Sequence, residues 1–261
     1  GVMMKIGAYQ FAATGNIMKN MEAIRRAVSL AAEESVRLLA FPECSLTGYP
    51  IRDDRSSSVD FQTLNACFSE LQNMSARYGM YLLVGSVTKS NGIYHNSALL
   101  FSPDGSEIAL YNKRALWGWD INNFSEGIPG GIWAVDEFKI GVRICYEVRF
   151  PEYFRELYRE KVDFMIVMFN DISETDDIER YGLISAHLQT RAVENVCMVL
   201  SVNDVSPYQT APTAVIDNSG KVIAKLPRDT EGLLTYDYQT AEMPYFVQGR
   251  KIISDKLTRQ P

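Results

Sequence analysis

Histidine is scarce in this chain. Its 261 residues include two, His95 and His187. Neither has ligand partners at metal spacing, which argues against a histidine-based metal site and against a Ser-His-Asp triad. Cysteine is almost as sparse. Cys44, Cys67, Cys145 and Cys197 lie far apart with no C-x-x-C pair. Three disulfide connectivities are arithmetically open, but a reducing compartment argues against all of them. No basic run stands out, and the formal net charge is −6, so nucleic acid is not an expected partner. No apolar run reaches membrane-spanning length. The N-terminus lacks the charged and apolar regions of a signal peptide, and the cytoplasm is the expected compartment.

What is present is the patterning of an α/β protein, long enough to bury a large core without staples. Lys5 to Phe11 alternates as a strand. Ile17, Met21, Ile24, Val28 and Ala31 then make one apolar stripe of a helix. Arg37 to Phe41 is a short buried strand with Pro42-Glu43 at its carboxyl end. Phe61, Leu64, Phe68 and Leu71 mark a second helix. Strands are expected at Met80 to Thr88, at Ile93 to Phe101 and up to Lys113. Leu116 to Gly131 is a long irregular loop holding Trp117 and Trp119, and loops of that length are often functional. Strands follow at Trp133 to Val135 and Phe138 to Ile144, and Val162 to Phe169 reads as a strand covered on both faces. A helix from about Ile178 to Asn195 and strands near Cys197, Thr213, Lys221 and Leu233 complete the pattern. From about residue 240 an extended C-terminal tail is expected.

There is an internal echo. Ser97-Ala98-Leu99-Leu100-Phe101-Ser102-Pro103-Asp104-Gly105 resembles Thr213-Ala214-Val215-Ile216-Asp217-Asn218-Ser219-Gly220. Two similar α/β halves would pack as a four-layer α-β-β-α sandwich with pseudo-twofold halves. No linker separates them, so residues 1–261 are read as one domain.

The chain is organised around Gly141 to Glu152. Ile140, Val142 and Ile144 alternate with Gly141 and Arg143, the period of a half-buried strand. Pro151 suits the first turn of a helix, where a missing N–H is harmless. Cys145 therefore sits on the turn from a strand into a helix, where α/β sheets place their chemistry. This is the geometry of a nucleophile elbow without the G-x-S-x-G letters.

Three stretches end at strand termini: Phe41-Pro42-Glu43-Cys44-Ser45-Leu46-Thr47-Gly48-Tyr49, Tyr111-Asn112-Lys113-Arg114-Ala115-Leu116-Trp117, and Arg143-Ile144-Cys145-Tyr146-Glu147-Val148-Arg149-Phe150-Pro151-Glu152. Together, in this order, they closely resemble the motifs of the nitrilase, or carbon–nitrogen hydrolase, superfamily. Gln189 to Asn195 extends the resemblance, which covers nearly the whole chain. It implies the αββα sandwich, a Glu-Lys-Cys triad of Glu43, Lys113 and Cys145, no cofactor, and usually dimers built by helix packing. Tyr153, Phe154 and Tyr158, on the helix after Pro151, make a wider set than one buried face needs, and an exposed apolar patch of that kind marks an interface. Tyr49, Trp117, Tyr146, Arg149 and Asn170, in or near these stretches, are the expected substrate contacts, with no metal ligand among them.

These residue types make chemical sense. A thiolate is a strong nucleophile near neutral pH. It needs a base, and without a suitable histidine a carboxylate must serve. A lysine would hold the negative charge formed on attack at an amide carbon. The expected reaction is hydrolysis of a non-peptide C–N bond in a small linear amide or carbamoyl compound, through a thioester. A glutaminase-like ammonia donor and a non-catalytic scaffold are the alternatives. Arg149 and Arg52 are candidates to recognise a substrate carboxylate. Cys67 and Cys197 read as core, Cys44 as structural, and Arg191 with Glu194 as an ion pair at i, i+3. His95 and His187 are expected to be hydrogen-bonded structural residues.

The sequence departs from the family pattern in places. Glu147 stands where aspartate is commoner, Ala115 where histidine is frequent, and Asp171-Ile172 where many members have Trp-Pro. Counting from Lys113 and back from the turn Phe124-Ser125-Glu126-Gly127 places Asp120 where many members carry a second glutamate. Asp120 is thus the candidate second acid, and Glu126, inside the turn, is not.

Overall fold

The structure, a computed structural model, describes residues 2–240 and 242–259. The first half runs β1 (Met3–Gln10), α1 (Ile17–Glu33), β2 (Leu38–Ala40), α2 (Phe61–Tyr78), β3 (Tyr81–Ser90), β4 (Ile93–Phe101) and β5 (Ala109–Asn112). The second half runs β6 (Ile132–Val135), β7 (Phe138–Ile144), α3 (Pro151–Arg159), β8 (Phe164–Met168), β9 (Ile172–Ser173), α4 (Ile178–Glu194), β10 (Met198–Val202), β11 (Tyr208–Gln209), β12 (Ala214–Ile216) and β13 (Val222–Lys225). β14 (Gly232–Gln239) and α5 (Tyr245–Thr258) close the chain. Helix starts follow local chemistry. Asn16, Asp60 and Asp177 cap α1, α2 and α4 by accepting a main-chain N–H in the first turn.

Two six-stranded sheets form, ordered β14-β1-β2-β3-β4-β5 and β13-β12-β10-β8-β7-β6. The echo seen in the sequence is real. β3-β4-β5 and β10-β12-β13 are matching antiparallel runs, each beginning on the last of three parallel strands. Ile6, Leu38, Leu83 and Leu100 of one sheet meet Ile140, Ile166, Met168 and Leu200 of the other in a buried apolar middle layer. The outer face of the first sheet is covered by α1 and α2 through Met21, Ile24, Leu64 and Leu71. That of the second is covered by α3 and α4 through Phe154, Leu157, Ile184 and Leu188. This is the expected α-β-β-α sandwich.

Three expectations need correction. β7 is covered on both faces, not half-buried. The aliphatic tip of Leu157 leaves room only for glycine at 141, where an added Cβ would lie 2.7 Å from it. Arg143 is fully buried, and its guanidinium donates to the carbonyls of Tyr153, Gly130 and Val142 and to Glu156. The segment after residue 240 is not an extended tail, since Tyr245–Thr258 is α5. Its apolar residues Tyr245, Phe246, Ile252, Ile253 and Leu257 face outward, so no core-facing stripe marks it in the sequence. Polar contacts hold it instead: Tyr158 Oη donates to Asp255 at 2.6 Å, and Arg250 donates to the Val193 carbonyl at 2.7 Å. The aromatic set on α3 is therefore not an exposed patch, because Phe154 is core and Tyr158 is covered by α5.

Gly85 on β3 lets that strand pass tightly under the Pro42–Cys44 turn. A Cβ there would lie 2.3 Å from the Pro42 carbonyl oxygen and 2.9 Å from Glu43 Cα. Gly85→Ala should lower unfolding stability by about 1–3 kcal/mol, the usual cost of overpacking, and depress turnover with it by displacing Glu43. Gly182→Ala, in α4 with no atom near its added Cβ, should instead stabilise by about 0.5–1 kcal/mol. Chemical denaturation of both variants checks the contrast; equal effects would show that the Gly85 contact is not tight.

Candidate active site

The site lies where strands of both sheets end. Glu43 follows β2, Lys113 follows β5, Cys145 follows β7 and Asn170 follows β8. Each is fixed by main-chain bonds before its side chain is considered. The Glu43 N–H donates across the sandwich to the Phe169 carbonyl at 3.1 Å. The Lys113 N–H donates to the Asn96 carbonyl at 2.8 Å, and the Lys113 carbonyl accepts from Gly127 at 3.0 Å. Cys145 has φ of 44°, a left-handed conformation for a non-glycine residue. That is the strained turn expected of an exposed nucleophile.

Glu147 fixes this turn. Its carboxylate accepts from the Ile144 N–H at 2.8 Å, the Arg114 N–H at 2.7 Å and the Tyr111 hydroxyl at 2.8 Å. It thereby ties the residue before Cys145 to the residue after Lys113. It contacts no cavity, and the sequence reading had given it no role beyond a substitution for aspartate.

Lys113 bridges two carboxylates. Its ammonium is 2.8 Å from Glu43 Oε2 and 2.7 Å from Asp120 Oδ2, and all three side chains are almost fully buried. Glu43 also accepts from Asn96 Nδ2 at 2.7 Å and from the Asn170 N–H at 2.9 Å. Asp120 accepts from Tyr49 Oη at 2.9 Å and from the Trp117 N–H at 3.1 Å. Each carboxylate thus receives at least three donors and gives none, the pattern of an ionised acid. Burial pushes the Glu43 carboxyl above its ordinary range, and the nearby Asp120 charge adds to this. Burial works against the Lys113 charge, but Glu43, Cys145 and Asp120 outweigh it and hold the ammonium well above the usual lysine range. Burial and the Glu43 charge push the Cys145 thiol up, which favours the neutral thiol.

A cavity of about 180 Å³ opens on these groups. Glu43, Lys113 and Cys145 line it, together with all five expected substrate contacts: Tyr49, Trp117, Tyr146, Arg149 and Asn170. Its lining also includes Asp171 and Arg180, where Arg180 Nε and Nη2 meet the Asp171 carboxylate at 2.8 and 3.2 Å. Asp120 does not line the cavity. It lies behind Lys113 and Tyr49, bonded directly to the ammonium and to the hydroxyl. Glu126 is exposed and outside the site. Arg52 lines a separate cavity near α1, which removes it as a substrate contact at this site. Arg191 and Glu194 are ion-paired as expected. His95 and His187 lie away from the cavity, and the expected hydrogen bonds to their side chains are absent among the described residues.

Residues 5–244 match the family described as Carbon-nitrogen hydrolase. The chain belongs to that family. Members act on non-peptide C–N bonds, and this hydrolase is an enzyme of that class. It is 28% identical over 220 residues to the deaminated glutathione amidase of Synechocystis, covering 78% of this chain and 76% of that protein. It is 27% identical over 234 residues to the 2-oxoglutaramate amidase of Bacillus subtilis, covering 86% and 87%. The amidase from Nesterenkonia sp. AN1, solved in complex with acrylamide, shares the fold with a TM-score of 0.82 at 21% identity, covering 98% and 97% of the two chains.

Sequence reasoning missed Asn96, Glu147 and Arg180. Asn96 lies inside an apolar strand and carried no motif. Glu147 stood within a motif, but its partners are 33 and 36 residues away. Arg180 was one charge among many on a helix start.

Of the four cysteines, Cys145 alone opens on the cavity, while Cys44, Cys67 and Cys197 are buried. Substoichiometric iodoacetamide should therefore alkylate Cys145 first, as read by peptide mass mapping. Initial labelling of Cys44 would contradict the burial described.

Proposed function

We propose that this hydrolase releases ammonia from a small linear amide that carries a carboxylate, with Cys145 as nucleophile, Glu43 as general base and Lys113 as the holder of the oxyanion. One observation carries the reading: the thiol, the ammonium and the carboxylate line one small cavity, with the last two 2.8 Å apart. Glu43 takes the thiol proton as Cys145 Sγ bonds to the amide carbon, and the carbonyl electron pair moves onto oxygen. Lys113 and a main-chain N–H beside Cys145 hold that charge. The pair returns, the C–N bond breaks, and the proton passes from Glu43 to the leaving nitrogen. Water then adds to the thioester. Glu43 takes its proton and returns it to sulfur as the acid leaves. A carboxylate made more basic by burial suits both steps. Asp120 acts through Lys113, holding the ammonium in place rather than touching substrate.

The carboxylate preference rests on Arg149. It lines the cavity and has no acidic partner among the described residues. Asp171 is already neutralised by Arg180. The names of the Synechocystis and Bacillus relatives support an amidase reading. The four free thiols suit a reducing cytoplasm. The outward apolar residues of α5 suit a homodimer or higher homo-oligomer. Light scattering at micromolar concentration should give a mass above that of one chain, and a monomer would remove this part of the proposal.

An ammonia-release screen of small amides should favour those with a terminal carboxylate. Arg149→Met should then raise KM for that substrate about tenfold or more, the scale of a lost charge-assisted bond, with a smaller change in kcat. Asp120→Asn should lower kcat about tenfold or more, and Glu126→Gln should be near neutral. Turnover confined to uncharged amides would overturn the carboxylate assignment, and a damaging Glu126→Gln would overturn the choice of acid.

A further inference from the structure

Asn96 lies on β4 between the two carboxylates that share Lys113. Its Nδ2 is 2.7 Å from Glu43 Oε2 and 3.5 Å from Asp120 Oδ1. Its main-chain carbonyl accepts the Lys113 N–H at 2.8 Å. Its own Oδ1 is buried without a hydrogen-bond partner among the described residues. An unpartnered buried oxygen is destabilising, yet the reverse orientation is worse. It would set that oxygen against two carboxylates and leave the NH₂ group unmatched. The carboxylates thus dictate which end of the amide faces them.

We propose that Asn96 is a positioning residue that keeps Glu43 ionised and ready to accept the Cys145 proton. This rests on the reading of Glu43 as the general base. The charges make the need plain. Glu43 and Asp120 are two anions away from water, Lys113 is one cation, and Cys145 is neutral as a thiol. Cys44, the other titratable group against Glu43, is buried and held as a thiol. One negative charge is therefore uncompensated, and only neutral donors spread it. Tyr49 and the Trp117 N–H serve Asp120, while Asn96 and the Asn170 N–H serve Glu43. An N–H bond favours the ionised carboxylate. Removing it lets Glu43 keep its proton to higher pH, and a protonated Glu43 cannot take one from the thiol. The loss therefore falls on the acid side of the pH profile. Asn96 does not line the cavity, so substrate binding is not its task.

The test is the pH dependence of kcat/KM for wild type, Asn96→Ala and the near-isosteric Asn96→Asp, with Glu43→Gln and Ser97→Ala alongside. Ser97 adjoins Asn96 on β4 and bonds to Thr88 and Asn112, away from Glu43. Asn96→Ala should move the acid limb up by about one pH unit, which lowers the rate by up to about tenfold at pH values below the limb and leaves KM little changed. Asn96→Asp adds a third acid and should move the limb further; it decides the matter if the alanine variant does not fold. Ser97→Ala should lower the melting temperature without moving the limb. An unmoved limb in the folded Asn96 variants, with kcat reduced equally at every pH, overturns the role proposed for Asn96. Full activity in Glu43→Gln overturns instead the assignment of the base.

Discussion

The buried ammonium of Lys113, shared by Glu43 and Asp120, is the interaction on which the site depends. Two carboxylates this far from water and this close together repel each other, and each pays a desolvation penalty. A single cation between them makes the cluster tolerable but leaves it one charge short. Around it the chain has placed donors only: the Asn96 side-chain amide, the Tyr49 hydroxyl and the main-chain N–H groups of Asn170 and Trp117. Burial, with the Asp120 charge adding to it, leaves the Glu43 carboxyl above its ordinary range.

The sandwich supplies the rigidity this arrangement needs. Glu43 and Lys113 belong to one sheet and Cys145 to the other, so their spacing is set by the packing of the middle layer. Two polar ties cross that layer near the site. Glu43 donates its N–H to Phe169, and Glu147 holds the Ile144 and Arg114 N–H groups at once. Cys145, Glu43 and Lys113 are thus held by main-chain geometry, and little side-chain freedom remains to be lost when a ligand enters the cavity. The cavity wall also includes residues of β9, the start of α4 and the Trp117 loop. Loops positioned by a rigid scaffold vary more readily than the elements they connect.

Legibility differed residue by residue, for physical reasons. β8, with all five residues buried, announced itself as a continuous apolar run. β9 and β11, two residues each, have too little length to show a period. α5 was misread because its apolar residues face outward and its attachment is polar. Arg143 was misread because alternation of a charge with aliphatics normally means an exposed face. Here three carbonyls and Glu156 solvate the guanidinium inside the protein.

By itself the sequence determined the strand ends that carry Glu43, Lys113 and Cys145, the repeat of two α/β halves and the family. Those features are local: a period of two or of 3.6, a proline at a helix start, a short motif of adjacent residues. The tertiary structure alone decided that Asp120 sits behind Lys113 and not in the cavity, that Arg52 belongs elsewhere, that Asp171 is neutralised by Arg180, and that Asn96 faces two carboxylates. Each of these depends on which side chains meet across sheets or between loops distant in sequence. Pairings of that kind leave no periodicity in the chain, because a hydrogen bond between residues 53 positions apart imposes no pattern on the residues between them.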